Sequence, residues 1–213
     1  MGKYKDGING SFRGTIGKVV GSTALGTDYM RSLPDGTKRE PSEKQINQRH
    51  IFAMVSSWLK PIRTIINVGF QLLANKKTPM NIAQRLLLTQ ALKTDDGVTS
   101  IDYKNVILSQ GELLISFITE VICLIDALLH LKWKNVNASL LSNDNDHATF
   151  IVYNPSKDKF ATFVAEANRN DEQVNLQLPA SFTGDAVHCW MQYVSAEGDR
   201  VSSSSYLGEV LVG

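Results

Sequence analysis

Cysteine is almost absent. Two thiols in 213 residues, Cys123 and Cys189, exclude a disulfide framework, and no C-x-x-C pair is present to seat zinc or exchange electrons. A net charge of one sign is missing as well: 22 Lys and Arg stand against 21 Asp and Glu, so the whole chain is neither polybasic nor polyacidic. No apolar run reaches membrane-spanning length, because the longest candidate, Leu113–Leu131, is broken by Glu120, Asp126 and His130. The opening MGKYKDGING has no apolar segment of the signal-peptide kind. A cytoplasmic location is the resulting expectation, with release in a virion or other particle left open. The four histidines, His50, His130, His147 and His188, fall in no H-x-x-x-H arrangement, so a local zinc motif is excluded too.

Glycine, by contrast, is concentrated. Eight of the fifteen fall in the first 36 residues, a distribution that suits turns and close backbone approach more than catalysis. The run Gly14-Thr15-Ile16-Gly17-Lys18-Val19 lacks the loop length of a P-loop and the Ser or Thr that should follow its lysine. Hydrophobic content of 43% and charged content of 20% fit a globular protein with a real core. The near-neutral total conceals a split: residues 1–100 carry 15 Lys and Arg against 7 Asp and Glu, and residues 101–213 carry 7 against 14. Such a division suits head-to-tail self-association, a basic half facing an anionic partner, or two parts neutralising each other within one chain.

Within the glycine-rich start, Thr15–Thr23 and Asp28–Leu33 read as two short strands of a loose hairpin, followed by the turn Pro34-Asp35-Gly36. Ser42-Glu43-Lys44-Gln45 is a capping-box pattern that opens a helix. Ile51, Val55, Trp58, Ile62, Ile65 and Ile66 make its apolar stripe, and Pro61 should kink or split it. Thr78-Pro79 signals a second start; Met80, Ala83, Leu87 and Ala91 give a short amphipathic helix that Asp95-Asp96-Gly97 should stop. After Gly97 the period shifts toward two. Ile101–Leu108 reads as a strand, and Leu113–Ile125 is ambiguous but favours strand through its β-branched residues. Leu129, Leu131 and Trp133 alternate with His130, Lys132 and Lys134 as in a half-buried strand. Further strands are expected at Ala148–Tyr153, Lys159–Ala165, Gln173–Leu178, Ala186–Val194 and Ser203–Val212, a spacing that means an antiparallel sandwich.

Residues 129–212 resemble a fibronectin-type-III or immunoglobulin-like module: LHLKW resembles its second strand, TFIVYNP its third, and VHCWMQYVSAEGDRVSSSSYLGEVLV its last two. The chain as a whole resembles a Bacteroidota family of unknown function in its segments Gly14–Gly21, Arg31–Pro34, Gln45–Arg49, Ile101–Tyr103 and Ser203–Gly208. That resemblance implies architecture and no activity. The fold class is α+β: a Gly-rich β-hairpin arm over 1–41, a helical segment with a short strand over 42–110, and a fibronectin-III-like sandwich over 111–213. The order Cys123, Trp133, Cys189 is similar to the immunoglobulin pattern, but Val187 stands where that pattern has a tyrosine, so free thiols are expected.

No catalytic, cofactor or metal residue is assigned. Cys189 beside His188 is no thiolate–base pair if both lie on one strand, since neighbours point to opposite faces. Ser142–Asp146 reads as a polar hairpin loop in preference to a calcium site, for it lacks the glycine and distal glutamate of an EF-hand. The Ser202–Ser205 run has no nucleophile elbow around it and is placed on the exposed face of the last strand. The leading expectation is a non-enzymatic protein that self-assembles into a homo-oligomer, as in virion-like or prophage-derived particles or filaments. Its contact residues are expected to be Phe12, Arg13, Ile16, Val19, Val20, Tyr29 and Arg31. The alternatives are a protein- or glycan-binding module using the loops Asn143–Asp146 and Ala196–Asp199, and a nucleic-acid-associated protein using Lys38, Arg39, Lys76 and Lys77. Neither a membrane nor a small-molecule partner is indicated.

Overall fold

The computed structural model describes residues 2–3, 10–24, 26–34, 36, 40–75, 77–95, 97–135 and 139–213. The protein is α+β, and its chain divides into two compact units, Met1–Asn47 and Gln48–Gly213.

The first unit is a small antiparallel sheet. Its strands are β1 (Gly2–Lys3), β2 (Gly14–Ile16), β3 (Val19–Ala24) and β4 (Thr27–Ser32), in the order β1-β4-β3-β2. The segment expected as one strand, Thr15–Thr23, is itself a hairpin. Gly17 at φ +58 turns the chain, so Ile16 pairs with Val19 and Gly14 with Gly21. A turn with positive φ is open to glycine and closed to most residues, and Gly17-Lys18 supplies it between Ile16 and Val19.

Helix α1 (Glu43–Leu59) begins as its capping box requires. The Ser42 amide donates to Gln45 Oε1 (3.2 Å) and the Gln45 amide to Ser42 Oγ (3.4 Å). Pro61 interrupts the helical ladder: a 3-10 turn spans Lys60–Ile62 before α2 (Arg63–Gly69) resumes. Thr78 caps α3 (Pro79–Gln90) by accepting from the Asn81 amide at 3.2 Å. Replacing Thr78 with Ala should lower stability by about 1 kcal/mol in chemical denaturation, the usual worth of such a cap. The helix ends at Gln90, earlier than expected, and the residues assigned to its stop belong to a two-stranded hairpin of β5 (Leu92–Asp95) and β6 (Val98–Ile101); Asp96 lies outside the described residues. Nor does Ile101–Leu108 continue as a strand. Asp102 accepts from the Lys104 amide and from Asn105 Nδ2, which winds Tyr103–Asn105 into a 3-10 turn.

The remainder forms two facing antiparallel sheets. One is β11-β8-β7, built from β7 (Phe117–Leu124), β8 (Leu128–Lys134) and β11 (Gln173–Gln177). The other is β10-β9-β12-β13, from β9 (His147–Asn154), β10 (Lys159–Asn168), β12 (Ala186–Val194) and β13 (Ser205–Leu211). Leu129, Leu131 and Trp133 of the smaller sheet meet Phe150, Val152, Cys189, Met191 and Tyr193 of the larger in one core. On the opposite face of the larger sheet, Ile151, Tyr153 and Trp190 form a second core with Val55, Trp58, Ile62, Ile65 and Ile66 of the helices. Both faces of β9 and β12 are therefore covered, which accounts for the unbroken apolar run TFIVY where a one-sided sheet would alternate.

The serine run corrects another expectation. Ser202 is fully buried, and its hydroxyl accepts from the Tyr193 amide at 2.8 Å. Ser204 Oγ accepts from the Leu108 amide (2.8 Å), while Ser109 Oγ donates to the Ser202 carbonyl (2.8 Å). These hydroxyls satisfy backbone groups where residues 108–110 cross to the sandwich. Gly111 is part of the same crossing: a Cβ there would stand 2.1 Å from the Val201 carbonyl oxygen. Among the described residues, no helix is long and apolar enough to cross a membrane.

Candidate assembly interface

The register of the N-terminal sheet sorts the seven residues expected to form an interface. Thr15, Val20 and Arg31 make one rung across β2, β3 and β4, with Ser22 and Tyr29 beside them. Ile16, Val19 and Ser32 make the alternate rung, followed by Gly14, Gly21 and Met30. Successive rungs face opposite ways. Val20, Tyr29 and Arg31 thus lie on one face, and Ile16 and Val19 on the other.

Phe12 and Arg13 join the second face. A Cβ on Gly21 would lie 2.4 Å from the Phe12 carbonyl oxygen and 2.7 Å from its ring, so only glycine lets this segment lie so close over β3. Arg13 Nε donates to Thr23 Oγ1 (3.3 Å), and that hydroxyl donates to Asp28 Oδ1 (2.5 Å). The seven residues therefore form two patches, one on each face of a thin sheet.

Burial separates this sheet from the rest of the protein. Among the described residues up to Asn47, Gly21 alone is buried. Ile16 is 63% exposed, Val19 38% and Leu33 46%. Among the described residues, the buried members of both hydrophobic cores begin at Val55 and their partly buried margin at Met54. The sheet carries apolar side chains on both faces without having enclosed them.

The remaining candidates fall out as follows. Lys77 is exposed, and Lys38, Arg39 and Lys76 lie outside the described residues. Cys189 sits in the sandwich core, where burial pushes its thiol up to about 12. His188 occupies the opposite face of β12, with Nδ1 2.8 Å from the Tyr206 hydroxyl and its ring 4.2 Å from that of Tyr103. The two side chains do not form a nucleophile–base pair. Both cysteines are free. Just outside the two expected recognition loops, Asn143–Asp146 and Ala196–Asp199, Arg200 Nη1 donates to the Leu140 carbonyl at 3.2 Å.

Sequence reading missed a buried ion pair inside the sandwich. Arg169 is 1% exposed and donates to Asp146 Oδ2 through Nε (3.1 Å) and Nη2 (3.0 Å), to Ser116 Oγ (3.3 Å) and to the Leu114 carbonyl (2.7 Å). Its guanidinium lies 3.8 Å from the centre of the Tyr193 ring, and burial raises that phenol to about 12. The aspartate assigned to a polar loop thus points into the sandwich. Its only local signal was a loop too rich in short polar residues to be cast as mere solvent contact.

The model of DUF6266, a family of unknown function, matches residues 11–208, and the chain belongs to that family. Comparison with curated proteins gives no match.

Proposed function

We propose that this is a non-enzymatic structural protein that self-associates through its N-terminal sheet into a homo-oligomer, in a particle or filament. The observation that carries this reading is the unenclosed apolar surface of β1–β4. A small sheet gains independent stability only when a hydrophobic face packs against something, and a flat edge such as β2 can add strands from another chain. A copy of the same protein is the partner the charge split favours, because the basic first half and acidic second half attract in a head-to-tail arrangement.

On this reading the two-sheet part is a fibronectin-III-like module carried by the assembly. Its first, second and fifth strands (β7, β8, β11) share one sheet, and the other four share the second, which supports the likeness. The free thiols suit a reducing compartment such as the cytoplasm. Light scattering on the full-length protein across a concentration series should give a mass that is a whole multiple of 23.6 kDa, falling as salt screens the opposed charges. A single-chain mass at every concentration would overturn the proposal.

A second reading rests on the Arg200–Leu140 bond, which gathers the connection before β9 and the one before β13 at one end of the sandwich. Loops clustered on a rigid scaffold commonly recognise a protein or glycan. Such binding would survive loss of the N-terminal sheet, whereas assembly would not.

A further inference from the structure

A pocket of about 300 Å³ opens where α1, β6, the Tyr103 turn and the β9–β10 hairpin converge. Its aromatic wall is Trp58, Tyr103 and Tyr153, with ring centres 5.4 Å apart for Trp58 and Tyr153 and 5.4 Å for Tyr103 and Tyr153. Asp158 completes the rim, and among the described residues no lysine or arginine lines the pocket. We propose that this pocket binds a small organic cation, an alkylammonium group held by the aromatic faces and the Asp158 carboxylate.

Three features argue for a cation and against a neutral or acidic ligand. First, Asp158 makes no ion pair among the described residues, although Lys157 precedes it; Lys157 is committed to Asp185 on the other side of the hairpin. Second, Tyr153 donates its hydroxyl hydrogen to Asp158 Oδ1 at 2.8 Å. Burial and this hydrogen bond push the Tyr153 phenol well above its ordinary value, so it stays a donor and the carboxylate is oriented by it. Third, Asp158 adopts φ +48, a backbone conformation few non-glycine residues take, and one that Asp and Asn tolerate best. The carboxylate is held at the rim by a hairpin whose preceding residue is fixed as well: the Lys157 amide donates to Asn154 Oδ1 at 3.2 Å.

The negative faces of clustered rings attract a cation that a neutral group of equal size does not. His188 packs its ring 4.2 Å from that of Tyr103, and burial lowers its affinity for a proton, so this imidazole adds no positive charge beside the aromatic wall near neutral pH. The hydroxyls of Ser57 and Ser100 sit at the mouth and can accept from a primary ammonium.

The test uses the full-length protein and three probes followed by NMR: choline, its neutral carbon analogue 3,3-dimethylbutan-1-ol, and N-acetyl-lysine methylamide. Choline or the lysine amide should bind saturably, shifting the Trp58 indole resonance, and the neutral analogue should bind about tenfold or more weakly. Preference between the two cations separates a free ammonium compound from a lysine side chain as the source. Asp158→Asn keeps the backbone conformation and the side-chain size, so it should fold normally, with an unchanged melting temperature, and lose about tenfold in affinity for the cation. Equal binding of the neutral analogue, undiminished binding by Asp158→Asn, or no saturable binding of either cation would overturn the proposal. None of these outcomes depends on assembly.

Discussion

Removing residues 1–36 should, under the proposed self-association, leave only single chains in solution. Both cores are built from residues after Asn47, so the shortened protein should keep its thermal unfolding transition while its light-scattering mass falls to that of one chain. Gly21→Val tests the same sheet without removing it. The new side chain would meet the Phe12 carbonyl and ring well inside contact distance, and the Phe12–Arg13 segment would have to leave the face of β3. Self-association should then weaken substantially while the second unit stays folded. If the deletion variant retained the full-length mass, the sheet would not be the interface, whatever other surface joined the copies.

Asp146→Ala should be the most destabilising single substitution in the sandwich, at about 3–5 kcal/mol of the roughly 5–15 kcal/mol typical of a whole domain. It would leave the Arg169 guanidinium charged, dry and without its carboxylate, where each side chain of the pair is 1% exposed. The cost is that of an uncompensated charge more than of a lost contact, and this distinction is measurable. Asp146→Leu combined with Arg169→Met removes both charges, and the double variant should lose less stability in urea than Asp146→Ala alone. A double variant as damaged as the single one would mean that Arg169 works mainly through Ser116 and the Leu114 carbonyl.

Much of the architecture was legible because it rests on local rules. Ser42 with Gln45, Thr78 with Pro79, and Pro61 each act within four residues, and all three behave as their chemistry dictates. Alternation in LHLKW and its absence in TFIVY likewise report how many faces of each strand are covered. What escaped was decided at long range or by small turns. Arg169 and Asp146 are joined only after β9 and β10 have paired, and no periodicity announces that. Gly17 reverses the chain between Ile16 and Val19, and Asp102 bends it just after Ile101. The seven residues expected at an interface form one group in the sequence, yet strand alternation distributes them over two faces. The aromatic pocket draws on residues from Met54 to Asp158, so it became visible only in three dimensions.

Strands β9 and β12 belong to the helical core and the sandwich core at once. Neither layer can therefore be peeled away without stripping the other's wall: a fragment beginning at residue 111 would bare Ile151, Tyr153 and Trp190 to water. The Ser204 hydroxyl and the Ser202 carbonyl fasten residues 108 and 109 to the sandwich at that seam. Everything from Gln48 onward therefore has to fold, and to be lost, as an indivisible block.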